Sequence, residues 1–174
     1  MQPHFLMNSL NTLVALITTS PKKAAKMIIA LGTEIRNILE ISDYKEVSLK
    51  TELGFCESFL EIMSLRMEEK YFIELENITG EEKIPPLLFH TILENAFSHA
   101  KGDYSNLKFH LRKEIDKTVI YTFSSTAKNP EHDSARVGIG TKYIQNCLED
   151  MSPGKWSVTQ GLKNGNWVVK IEIG

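Results

Sequence analysis

The sequence predicts an α+β fold: an α/β sandwich in which a mixed, mainly antiparallel sheet is covered by helices on one face, preceded by a helical hairpin. Three observations carry that expectation. Apolar residues recur at alternating intervals of four and three through the first 67 residues, which is helical periodicity. Beyond residue 70 several short stretches alternate apolar and polar side chains, as half-buried strands do. Turn-forming clusters, among them Thr79-Gly80-Glu81-Glu82 and Leu162-Lys163-Asn164-Gly165, separate those stretches.

The elements follow in order. Leu6, Leu10, Leu13 and Ile17 form one seam, and Ala24, Ile28, Leu31, Ile35 and Ile38 form a second. Ser20-Pro21 divides them, with Ser20 suited to an N-cap and Pro21 to a first helical position. Narrow seams of this kind face other helices, and a hairpin this short cannot bury both by itself. Dimerisation through the N-terminal helices is therefore expected. The polar stretch 41–48 marks a boundary between residues 1–45, the hairpin, and residues 46–174, the sandwich. Leu49, Leu53, Cys56, Leu60, Met63 and Met67 make the stripe of a long helix. A strand is expected over 71–77, then a helix opened by Pro85 and Pro86 and running to about residue 100. Strands at 106–113 and 118–123, a polar loop over 124–137, a helix over 139–150 and a hairpin of 155–160 with 166–173 complete the prediction.

Composition narrows the function. A chain of 174 residues with 42% hydrophobic side chains has enough apolar surface for a packed core. A net charge of -2 argues against direct nucleic-acid binding, which needs a basic face. Two cysteines, Cys56 and Cys147, without CxxC spacing suggest reduced thiols of a cytoplasmic protein and neither a zinc site nor a disulfide framework. No apolar run reaches the length of a membrane span. The motif already under way at Gln2-Pro3-His4 leads us to expect a sensor region upstream, through which alone the protein would meet a membrane.

Three features carry possible chemistry. On the expected helix at 86–100, Thr91, Glu94, Asn95, Ser98 and His99 form a polar stripe opposite Leu88, Phe89, Ile92, Leu93, Ala96 and Phe97. An acid, an amide and an imidazole on one side can hold Mg²⁺ and donate to phosphate oxygens; a solvated face is the other reading. Gly138-Ile139-Gly140 opens the next helix, where glycines permit close approach to an anion or simply a tight turn. His4 stands near a helix start with Asn8 one turn on, either as a surface residue or as an exposed nucleophilic imidazole.

Taken together these segments resemble the LytS-type sensor histidine kinases. Gln2-Pro3-His4-Phe5-Leu6-Met7-Asn8-Ser9-Leu10-Asn11 is similar to that family's "NPHFLFNSLN" box. Val47 to Leu53, Phe59 to Ile62 and Arg66 resemble its "VxLxxEL…YLxIxxxR" helix, and Ile84 to His99 resembles its "VPPLLLQPLVENAIKHG" box. Gly138 and Gly140 sit where its "GLGL" box belongs. Four coincidences in order outweigh the bland reading of each. The resemblance implies a Bergerat-type GHKL ATPase domain and phosphoryl transfer from ATP to His4, then to an aspartate of a response regulator, often of the LytTR type. It gives Asn95 to Mg²⁺, Glu94 to metal waters or acceptor orientation, Asn8 to steering the His4 ring, and His99, Gly138 and Gly140 to the phosphates. In such sites positioning and charge neutralisation do most of the catalysis.

One box has no counterpart. The GHKL pattern places a DxGxG motif, whose Asp accepts the adenine amino group, where this chain reads Thr122-Phe123-Ser124-Ser125-Thr126-Ala127-Lys128-Asn129. Ser125 remains as a neutral acceptor working through water. The alternative function is therefore a degenerate GHKL domain that dimerises or docks for phosphotransfer.

Overall fold

A computed structural model describes residues 3–41, 44–100, 104–105, 107–126 and 139–174, with the side chains of Pro3, His4, His99 and Ile139 outside the description. Two helices, α1 (Pro3–Thr19) and α2 (Pro21–Ile41), meet at Ser20 as expected. Ser20 still donates its N–H to Leu16 at 2.8 Å, and its carbonyl accepts from Ala24 at 3.0 Å, so the break is a single residue wide. Pro21, lacking an N–H, is what divides the ladder.

The seams face otherwise than two helices packed on each other would require. α2 turns Met27, Ala30, Leu31 and Glu34 inward against α3 (Leu49–Met67), while Ile28 and Ile35 stay exposed. On α1, Met7, Leu10, Val14 and Ile17 are exposed as well. The third stripe lies as expected: Leu49, Cys56, Leu60 and Met63 are buried, and Ser48 caps the helix by accepting the Thr51 N–H at 3.2 Å.

A five-stranded sheet runs β2-β4-β5-β7-β6, built from β2 (Ile73–Glu76), β4 (Phe109–Ile115), β5 (Val119–Ser125), β6 (Trp156–Lys163) and β7 (Asn166–Ile173). β2 pairs parallel with β4 and every other pairing is antiparallel, giving the mixed, mainly antiparallel sheet expected. Register puts Leu111 opposite Phe123, and Phe123 opposite Val169, on one buried face. Arg112, Thr122 and Lys170 share the other, wetter face. The β6–β7 turn is tighter than the four residues read from sequence. Asn164 (φ 53) and Gly165 (φ 79) close it alone, the two-residue left-handed turn that Asn-Gly favours.

The apolar face is covered by α3, α4 (Leu88–His99) and α5 (Ile139–Met151). Phe89 meets Tyr121 at 5.5 Å and Phe97 meets Phe109 at 5.2 Å, while Ile144 and Leu148 of α5 complete the core. Two short strands, β1 (Val47–Ser48) and β3 (Lys83–Ile84), pair antiparallel beside α3, and neither was foreseen. α4 starts later than expected. Pro85 and Pro86 precede it, and Leu87 adopts a left-handed φ of 55 before the first helical residue. The loop expected over 124–137 loses Ser124 and Ser125 to β5, and its remainder from 127 lies outside the described residues.

Candidate functional site

The site forms where α4 and α5 meet. α4 buries Leu88, Phe89, Ile92, Leu93, Ala96 and Phe97, so the opposite stripe is fixed in direction by the core. Glu94 is buried within that stripe and Asn95 is half-buried. Thr91 donates to the Leu87 carbonyl at 2.6 Å and Ser98 to the Glu94 carbonyl at 3.0 Å, so both hydroxyls turn back on the helix.

α5 lies directly against this stripe. A Cβ added to Gly140 would stand 3.0 Å from Thr91 Cγ2, 3.1 Å from Asn95 Nδ2 and 3.3 Å from Asn95 Oδ1. Only a glycine admits the α5 backbone so close to the Asn95 amide. One turn on, Tyr143 donates to the Pro86 carbonyl at 3.0 Å and pins α5 to the start of α4. Asn95 and Gly140, 45 positions apart by number, are thus neighbours in one junction.

The other predicted residues fall around this junction. Asn8 lines a cavity of about 270 Å³ together with Glu94, Ser98 and Arg66, which brings the start of α1 beside the stripe. His4 is in the first turn of α1 and His99 ends α4; both side chains lie outside the description. Ser125 is the last residue of β5 and is buried. Gly138 lies outside the described residues. Among the described residues no cluster of His, Cys, Asp or Glu could cage a metal. An amide oxygen such as that of Asn95 suits a cation that takes its other ligands from phosphate and water.

Two buried acids escaped the sequence reading. Glu52 of α3 takes the Leu87 N–H at 2.7 Å and the His90 N–H at 2.9 Å, serving as the missing cap of α4. Burial pushes its carboxyl up to about 7 against the opposing pull of those N–H donors and of His90. Glu34 of α2 bonds the buried His90 ring, and its second oxygen finds no partner among the described residues. Burial depresses the His90 imidazole, yet the bond to Glu34 and that carboxylate's charge carry it above its ordinary value. A signal for Glu52 was present: no Ser, Thr, Asp or Asn precedes α4, so its free N–H groups required an acceptor from elsewhere.

Comparisons with known proteins bear on the family and the fold. A family model described as histidine kinase matches residues 1–71. The sensor protein LytS of Bacillus subtilis is 30% identical over 127 residues, 72% of this chain and 20% of its own length. The sensor protein kinase HptS of Staphylococcus aureus is 31% identical over 122 residues, 69% of this chain and 23% of its own. Histidine kinase AdeS of Acinetobacter baumannii superposes with a TM-score of 0.56 at 12% identity, covering 98% of this chain and 97% of that one. The histidine kinase domain of a blue-light activated kinase from Erythrobacter litoralis gives 0.52 at 16%, covering 87% and 74%. The fold so defined is that of the histidine kinases. Within that class the chain is of the LytS type in sequence. It spans about a fifth of the length of the curated relatives it matches. No helix of the described residues is long and apolar enough to cross a membrane.

Proposed function

We propose that this chain is the phosphoacceptor and ATP-binding part of a protein-histidine kinase, divided near residue 45 between the two roles. The observation that carries the reading is the approach of Gly140 to Thr91 and Asn95, which joins the α5 N-terminus to a stripe of amide and carboxylate groups. Helix N-termini favour phosphate through their free N–H groups and dipole. Asn95 would hold Mg²⁺, which neutralises phosphate charge when bound, and His99, Gly138 and Gly140 would contact the phosphates. The lone pair of the outer His4 nitrogen would attack the γ-phosphorus. An N–P bond forms, the P–O bond to ADP breaks, and ADP leaves with its electron pair. Glu94, which shares a cavity with Asn8, would orient the acceptor ring and receive its proton. The phosphoryl group would then pass to an aspartate of a response regulator, of the LytTR type by family habit.

Exposed apolar side chains on both hairpin helices support a homodimer through α1 and α2. In the full protein this part would lie in the cytoplasm, attached to an upstream sensor. The test is incubation with Mg-ATP: acid-labile, base-stable label on the parent and none on His4→Gln supports the kinase, whereas equal label on both refutes the acceptor.

One observation favours a second reading. Ser125, the buried end of β5, offers a neutral hydroxyl where the GHKL pattern has a carboxylate for adenine. A lost charged hydrogen bond weakens nucleotide affinity by about one to two decades. The chain would then serve as a docking or dimerisation module; the test is a titration with millimolar Mg-ATP, in which no binding would support this reading and saturable binding would refute it.

A further inference from the structure

The cavity between α1, α3 and α4 contains a cation with no use in the scheme above. Arg66, in the last turn of α3, is half-buried on its wall. Its Nε finds no hydrogen-bond partner and it makes no ion pair among the described residues. Its polar contact is the Met63 sulfur at 3.3 Å, and its guanidinium carbon stands 5.6 Å from the Phe5 ring centroid. Neither gives the buried Nε–H an oxygen acceptor. A buried donor is normally paired, because a hydrogen bond left unmade costs more than a sulfur or a ring returns.

The cavity explains what is missing. It measures about 270 Å³ and is lined by Asn8 beside the guanidinium, with Glu94 as the one carboxylate among its described lining residues. A planar guanidinium presents a fork of donors that matches phosphoryl oxygens. The chain leading to the acceptor is fixed at the rim: Phe5 is buried and packs on Phe59 at 4.9 Å, one residue after His4. A phosphoryl group in this cavity would meet a cation, an amide and the start of α1 together.

We propose that Arg66 is the anion-binding residue of a phosphoryl chamber between α1, α3 and α4, contacting the phosphoryl oxygens as the group passes directly from the ADP oxygen to the His4 nitrogen. That the anion is a transferred phosphoryl rests on the kinase reading; the anion site itself rests on the unpaired Arg66 and its cavity.

Two arms test this. In the first, inorganic phosphate is titrated into the ¹⁵N-labelled full chain while the Arg66 Nε–H and Asn8 side-chain amide resonances are followed. A saturable shift of both is expected, with the Asn8 response lost in Arg66→Met and partly kept in Arg66→Lys. Unchanged spectra elsewhere and an unchanged melting temperature show that the variants fold. In the second, Arg66→Met is expected to lower His4 labelling by roughly 10²-fold, the scale of losing one fixed donor to a transition-state oxyanion, with Mg-ATP affinity unchanged and Arg66→Lys recovering part. Silence at both resonances, or Arg66→Met labelling at the parent rate, overturns the proposal. If the parent takes no label, the kinase reading falls and the phosphate titration alone decides the site.

Discussion

Replacing Gly140 with alanine isolates the α4–α5 junction in one methyl group. The new Cβ would meet Thr91 Cγ2 at 3.0 Å and the two Asn95 amide atoms at 3.1 and 3.3 Å, each tighter than ordinary contact. Overpacking of this kind costs about 1–3 kcal/mol, while alanine is about 1 kcal/mol better than glycine in a helix interior. Gly140 is only the second residue of α5, so less than that full gain applies. The net loss of stability is therefore between about 0 and 3 kcal/mol, and the chain stays folded. The site has less room to adjust, because Asn95 is the side chain that must give way. Moving its amide oxygen forfeits an interaction with a charged partner worth about 1.5–3 kcal/mol, or roughly 10- to 100-fold in Mg-ATP affinity. Urea unfolding and calorimetry measure the two effects separately. Gly161→Ala is the control, since a Cβ there would meet nothing within 4 Å. Gly140→Ala binding Mg-ATP as tightly as the parent would refute the reasoning.

Three further outcomes follow from the same structure. Glu52→Gln keeps one acceptor but sets an amide donor against an N–H of α4, so a loss of about 2–4 kcal/mol is expected in urea unfolding. Glu52 and His90 both bind protons more tightly when folded than when unfolded. For Glu52 that contribution is whole below its ordinary 4.5 and is lost as pH rises to about 7; His90 adds a loss of the same sign above its ordinary 6.5. Stability should therefore fall between pH 4.5 and neutrality, and Glu52→Gln should flatten the lower part of that slope; a parent that grows more stable over this range would contradict the assignment. Val14→Glu with Ile28→Glu places charge on side chains that are 68% and 53% exposed in the single chain. If these pack in a dimer at about 1.5–3 kcal/mol each, dimer affinity should drop by at least roughly 10²-fold in sedimentation, whereas an always-monomeric parent would contradict the interface.

The long elements were legible because periodicity survives in them. The stripe from Leu49 to Met63 and the alternation of Leu107, Phe109 and Leu111 both emerged on buried faces. β1 and β3 were invisible, since two residues each carry no period. The start of α4 was misplaced because its cap comes from Glu52, 35 residues earlier in the chain, and not from a neighbouring side chain. α2 shows a different difficulty. Of its 4-3 seam, Ala24 and Leu31 are buried but Ile28 and Ile35 are exposed, because the buried face is shifted round the helix toward Met27 and Ala30. The stripe of Glu94 and Asn95 was readable from composition and spacing. Its contact with Gly140 was not, because only the fold sets α5 against α4. Nor was the Arg66 Nε, left without a partner among the described residues, which depends on what three separate helices leave around it.

Calorimetric titration of Mg-ATP into the parent and into Asn95→Ala bears most directly on the α4–α5 junction as a nucleotide site. Saturable binding by the parent, weakened at least tenfold in Asn95→Ala at equal thermal stability, is the expected result. Equal affinity in the two proteins, or no binding by the parent at millimolar nucleotide, would contradict it.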